Sequence, residues 1–199
     1  MPSKYFQSPA DQSRKRIPKG YLFPRVLKWS SKKNFNLRYI KIRYLSLQED
    51  FLHVIPKTRS RLTLRKIYIS QEVHSESVLE TMGNELKLNK SLRKINLSLY
   101  DSASDADVSS EKFRIFQHDF GSLAFLEILD LKFTNLLFLD DLGLYYLHNM
   151  LKRCRTIQEL SLSFKHCSYI TNEGMRYIRY GLKGLKNLKS LNLGFEECD

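Results

Sequence analysis

The stretch from Leu160 to Leu193, LSLSFKHCSYITNEGMRYIRYGLKGLKNLKSLNL, holds one whole structural unit of the chain. It opens on LSLSF and closes on LNL, and an apolar residue at every second position is how a strand sends one set of side chains to a core and the other to solvent. Between them Met175, Ile178, Leu182 and Leu185 recur at the spacing of a single helix face. Thr171 two residues before Glu173 supplies a helix start, because its hydroxyl can accept a hydrogen bond from a first-turn amide. Strand, loop, helix and loop back to a strand therefore fit inside this one stretch.

Outward from it, the hexapeptide L-x-x-L-x-L, with Ile allowed, begins at Leu37, Leu64, Leu92, Leu126, Ile157 and Leu188, at intervals of 27, 28, 34, 31 and 31 residues. Leu99, Phe133, Phe164 and Phe195 extend the alternation beyond the last four motifs. Matching helix faces precede three further motifs: Leu144, Leu147, Leu151 and Cys154; Phe113, Phe116, Phe120 and Leu123; Leu79, Met82, Leu86 and Asn89. Start signals stand ahead of each, at Asp140 and Asp141, Ser109 and Ser110, and Ser75 and Ser77. The expected fold is α/β, a strand–helix unit repeated about six times with strand starts near 37, 64, 92, 126, 157 and 188.

The pattern resembles that of leucine-rich-repeat proteins. A strand plus a full helix in roughly 28 to 34 residues is similar to the ribonuclease-inhibitor-like class, and Leu160 to Leu193 is similar to the L-x-L…C-x-x-I-T-D-E-G…L…L-x-x-L-x-L of its cysteine-containing repeats. The resemblance is good over 72–199, weaker over 37–71 and absent before. It implies a short right-handed horseshoe, a solenoid with parallel strands on the concave face, helices on the convex face and a partner gripped in the curve. Where Asn or Cys would follow the strand, this chain has Tyr100, Thr134, Lys165 and Glu196, with Cys167 and Cys198 two places later. A standard Asn ladder is therefore not expected, and the inward column of Phe133, Phe164 and Phe195 is expected to take over part of its packing.

The 199 residues carry a net charge of +12, unevenly. Residues 1–66 hold 17 Lys and Arg against 3 acids; residues 67–199 hold 16 against 18. Residues 1–20, with the cluster SRKRIPK from Ser13, read as a flexible basic arm, and 21–36, with Leu22, Phe23, Val26, Leu27 and Trp29, as a cap over the first unit. The repeats fill 37–199, with an acidic loop at Asp101 to Glu111, and the C-terminal strand is expected to be uncapped and to meet another chain unless the array continues. No 18-residue apolar run predicts a membrane span and no apolar leader is evident, so an intracellular setting is expected, cytoplasmic first, nuclear or organellar as alternatives. Three cysteines, Cys154, Cys167 and Cys198, fit reduced thiols better than a paired framework.

Strand alternation also places the solvent-facing residues in columns. In the first half these are Tyr39, Lys41 and Arg43, then Lys66 and Tyr68, then Lys94, and with Arg38, Arg65 and Arg93 beside them they make a basic surface with two tyrosines, while the second half is acidic to neutral. Arg38, Tyr39, Lys41, Arg43, Lys66, Tyr68 and Lys94 are the candidate binding site, since Tyr and Arg are favoured at interfaces. A protein partner with an acidic surface is expected. RNA or a ribonucleoprotein, reached by the arm and the basic half together, is the alternative, and a fragment of a longer repeat protein is another. G-x-S-x-G, H-E-x-x-H and clustered glycines are all missing, so the expectation is a non-enzymatic scaffold or adaptor subunit with no catalytic residue, metal or cofactor.

Overall fold

The computed structural model describes residues 39–43, 64–102 and 108–198. The expected arm, the cap, Arg38 and the centre of the acidic loop lie outside them. Six strands form one sheet in sequence order: β1 (Tyr39–Arg43), β2 (Lys66–Glu72), β3 (Lys94–Tyr100), β4 (Ile128–Thr134), β5 (Glu159–Lys165) and β6 (Ser190–Glu196). Every neighbouring pair is parallel. The crossovers carry α1 (Glu76–Leu88), α2 (Arg114–Asp119), α3 (Asp141–Arg153) and α4 (Asn172–Leu182), each packed on the next. No helix of the described residues is long and apolar enough to cross a membrane.

The core lies between sheet and helices. Ile67 and Ile69, Ile95, Leu97 and Leu99, Leu129, Leu131 and Phe133, and Leu160, Leu162 and Phe164 are buried from the strands. Leu79, Met82 and Leu86, Phe113, Phe116 and Phe120, and Leu144, Leu147 and Leu151 are buried from the helix side. Each such side chain is worth about 1.5–3 kcal/mol when fully buried, so stacking one unit on the next is the main stabilising term. The inward phenylalanines form a stack, with ring centroids 5.3 Å apart for Phe133 and Phe164 and 5.0 Å for Phe164 and Phe195. On β6, the outermost described strand, Leu191, Leu193 and Phe195 are 45%, 37% and 39% exposed.

Several local expectations change. The helix before β4 is broken: 3-10 turns at Ser110–Phe113 and Phe120–Ser122 flank a six-residue α2. Phe113, Phe116 and Phe120 nonetheless stack at 5.2 and 4.8 Å, and the tighter 3-10 turn brings residues three apart into line. Ser75 makes no cap bond and meets Ser77 Oγ at 2.9 Å instead, whereas Ser109, Asp140 and Thr171 each accept from a first-turn amide.

The turn after a strand repeats closely. Asn135, His166 and Glu197, each one residue past its strand, adopt φ of 56°, 53° and 53°, a left-handed conformation uncommon outside glycine. The amides of Asn135 and His166 donate across to Lys165 O at 2.8 Å and Glu196 O at 2.9 Å. One residue later the thiols of Cys167 and Cys198 donate back to the preceding unit, at Phe133 O (3.9 Å) and Phe164 O (3.5 Å). All three cysteines are free thiols. Burial pushes the Cys154 thiol up to about 12 and the Cys167 thiol up to about 11, so both stay protonated at neutral pH.

Candidate interaction face

The helices cover one side of the sheet, and the alternate residues of β2 to β5 stand on the other, partly or fully accessible. Parallel register turns these into straight columns. Tyr39 pairs with Lys66, Lys66 with Lys94, Lys94 with Ile128 and Ile128 with Glu159. In the next column Lys41, Tyr68, Asn96, Asp130, Ser161 and Asn192 follow one another; in the third, Arg43 stands beside Ser70 and Ser98. Six of the seven candidate residues therefore fall on three adjacent strands; Arg38 lies just outside the described residues.

Within this patch Lys94 Nζ sits 5.7 Å from the centroid of the Tyr68 ring, a cation over the negative face of an aromatic. Among the described residues neither Lys66 nor Lys94 forms an ion pair. Other charges are tied across strands, Arg93 next to Lys94 to Glu127, Lys165 to Glu196 at 2.5 Å, and Lys189 to the Gln158 amide oxygen at 2.9 Å, while Lys132 and Glu159 form no ion pair among the described residues. The hydrogen bond and charge of Lys165 hold the Glu196 carboxyl below the usual carboxylate range. Midway, Asn96 Nδ2 donates to Asp130 Oδ2, while Asp130 Oδ1 is buried with no partner among the described residues.

A second feature lies on the helix side, and the sequence reading missed it. Asp141 and Tyr145 on α3, and Glu173 and Tyr177 on α4, are each four residues apart and so share a helix face. With Leu142 they line a shallow, open groove of about 330 Å³. The signal was available in the sequence: acid-x-x-x-Tyr recurs in the first turn of consecutive helices.

Asp141, read from the sequence as starting its own helix, serves the next one instead. Its Oδ1 accepts from the amides of Thr171 (2.8 Å) and Gly174 (3.0 Å), and its Oδ2 from the Thr171 hydroxyl (2.6 Å), which caps α4. Gly174 is needed there, since a Cβ would lie 2.4 Å from Asp141 Oδ1. Asp140 caps α3 through Gly143 N at 3.1 Å.

No group of three or more His, Cys, Asp or Glu among the described residues is placed to hold a metal ion. No protein-family model matches the chain, and no curated protein matches it.

Proposed function

We propose that this chain is a leucine-rich-repeat interaction module of the ribonuclease-inhibitor-like type, about six units curved so that the open sheet face is concave, and that it binds another macromolecule there without catalysing a reaction. The partner is a protein with an acidic surface, and Arg38, Tyr39, Lys41, Arg43, Lys66, Tyr68 and Lys94 form the contact. The observation that carries this is Lys94 over the Tyr68 ring with Lys66 beside it in the same column, neither lysine forming an ion pair among the described residues. A patch three strands wide, followed directly by Glu127, Asp130 and Glu159, suits a compact acidic surface. A continuing phosphate backbone would run onto those carboxylates. The exposed Leu191, Leu193 and Phe195 support a second, apolar contact along β6, with another unit or chain. Free thiols are in keeping with a reducing compartment inside the cell.

The test starts with crosslinking through Lys66 and Lys94 in the native source to identify the partner, then titrates that partner and an oligo-uridine against the protein. Reversing charge at Lys66→Glu and Lys94→Glu together is expected to weaken the protein partner by at least about tenfold while thermal unfolding stays put. Unchanged affinity would overturn the site. Preference for the oligonucleotide, with affinity falling by orders of magnitude from low to moderate salt, would transfer the patch to RNA.

A further inference from the structure

β6 forms the outer edge of the described sheet and repeats the side-chain pattern of the strand it pairs with. On β5, Leu160, Leu162 and Phe164 are buried; their counterparts Leu191, Leu193 and Phe195 are exposed, and the phenylalanine stack ends at Phe195. Nothing within β6 blunts this edge: it runs for seven residues in unbroken register, with no proline and no charge on its inward side. Its backbone bonds show which groups are left over. In a parallel ladder alternate residues of a strand serve one neighbour and the residues between them serve the other. Ser190 N donates to Gln158 O at 3.1 Å and Glu196 O accepts from His166 N at 2.9 Å, so Ser190, Asn192, Gly194 and Glu196 serve β5. The N–H and C=O groups of Leu191, Leu193 and Phe195 therefore point to the open edge, on the same residues whose side chains are exposed.

The side chains select what covers it. From Lys186 to Glu197 the chain reads KNLKSLNLGFEE, basic at its start and acidic at its end, so it is complementary to itself run backwards. We propose that two copies of this chain form a symmetric dimer, their β6 strands pairing antiparallel about a two-fold axis at Leu193. This names the occupant of the β6 contact proposed above and rests on that contact, not on the basic face. Leu193 then faces its own twin, Leu191 faces Phe195 of the second copy, Ser190 faces Glu196 and Lys189 faces Glu197. The pairs Leu191 with Phe195 and Leu193 with Leu193 are the ones that exchange backbone bonds, which matches the groups left at the edge. An axis at Gly194 would set Leu191 against Glu197, and one at Asn192 would set Lys189 against Phe195. Within one copy, among the described residues, Lys189 bonds the neutral Gln158 amide and Glu197 meets His166, so both carry charge that can reach across the axis. A head-to-tail stack would instead lay β1 beside β6, with Lys41 and Arg43 opposite Asn192 and Gly194, and would leave a fresh edge open after every addition.

Sedimentation velocity of the full chain across a concentration series is expected to show reversible exchange between one and two copies, with a Kd on the order of micromolar. Leu193→Lys sets two like charges on the axis and should weaken the dimer at least about thirtyfold. Thermal melts of the dilute variant should match the parent, because Leu193 is already exposed in a single copy. Glu197→Lys should weaken the dimer about fivefold, and adding Lys189→Glu to it should restore the parent value within about threefold, since the pair is only exchanged. A single copy at every concentration, unchanged dimerisation of Leu193→Lys, or no rescue by the exchange would overturn the proposal. Mass that keeps climbing past two copies would overturn it in favour of the head-to-tail stack. A monomeric parent whose Leu193→Lys variant loses the partner captured through Lys66 and Lys94 would overturn the dimer and leave the β6 contact to a foreign chain. A dimer that behaves as expected but captures no such partner would support the dimer and remove the basic face alone.

Discussion

Among the described residues the ammonium groups of Lys66 on β2 and Lys94 on β3 meet no carboxylate, whereas Lys165 on β5 is tied to Glu196 on β6. Backbone and register are the same in both halves, so the contrast is entirely one of side chains. An exposed cross-strand pair contributes only about 0.2–1 kcal/mol, but it cancels the local field. The tied pair keeps its stretch of surface quiet; the untied lysines project their charge outward, where it can attract and orient a partner.

The harshest way to break the comparison is Leu160→Asp beneath the tied half. Leu160 is 2% exposed, and an unpaired carboxylate there costs several kcal/mol, on the order of 4 or more. Circular dichroism and urea titration are expected to show the whole array lost, the basic half included, since units stabilise one another through their interfaces. Full partner binding by this variant would mean that β2 and β3 stand on a separate core.

A milder cut is Asp141→Ala, which removes the cap shared by α3 and α4. A loss of about 1–3 kcal/mol in urea unfolding is expected, with affinity at the basic half unchanged; a matching loss of affinity would show that the two halves are coupled. Glu127→Gln sharpens the contrast directly by releasing Arg93. Stability should move by less than about 0.5 kcal/mol, while affinity for an acidic partner rises about two- to fivefold at low salt and converges with the parent at high salt.

The smallest effect is expected at His148, which touches neither half. Its folded-state value lies below the ordinary 6.5, so below that pH the unfolded chain takes up the proton more readily, and stability falls as pH drops. Melting curves across that window should slope less for His148→Phe than for the parent, and parallel slopes would remove His148 as the source.

The strands and their columns were legible because a period of two fixes which side a residue faces, and the hexapeptide fixes where the period begins. Lys66, Lys94, Ile128 and Glu159 fall in one column as read from spacing alone. The turns were less so: Asn135 and His166 are types that take left-handed backbone more readily than most, but Glu197 is not, and the shared turn is seen only in the backbone itself. Asp141 and Tyr145 gain their roles from Thr171 and Tyr177, about thirty residues away on another helix. A helix-start acid looks the same in sequence whether it serves its own helix or the next. The flanking 3-10 turns around α2 likewise depend on how three phenylalanines stack, not on their spacing.

The uniform direction of the strands has a mechanical consequence. A load applied along the order β2 to β6 pulls on the hydrogen bonds of one strand pair at a time, so the array should peel from an end in steps rather than shear as a block. With motif intervals of 28 to 34 residues from β2 to β6, each step would release roughly 90–120 Å of extended chain, a sawtooth whose spacing reads out the same period as the leucines.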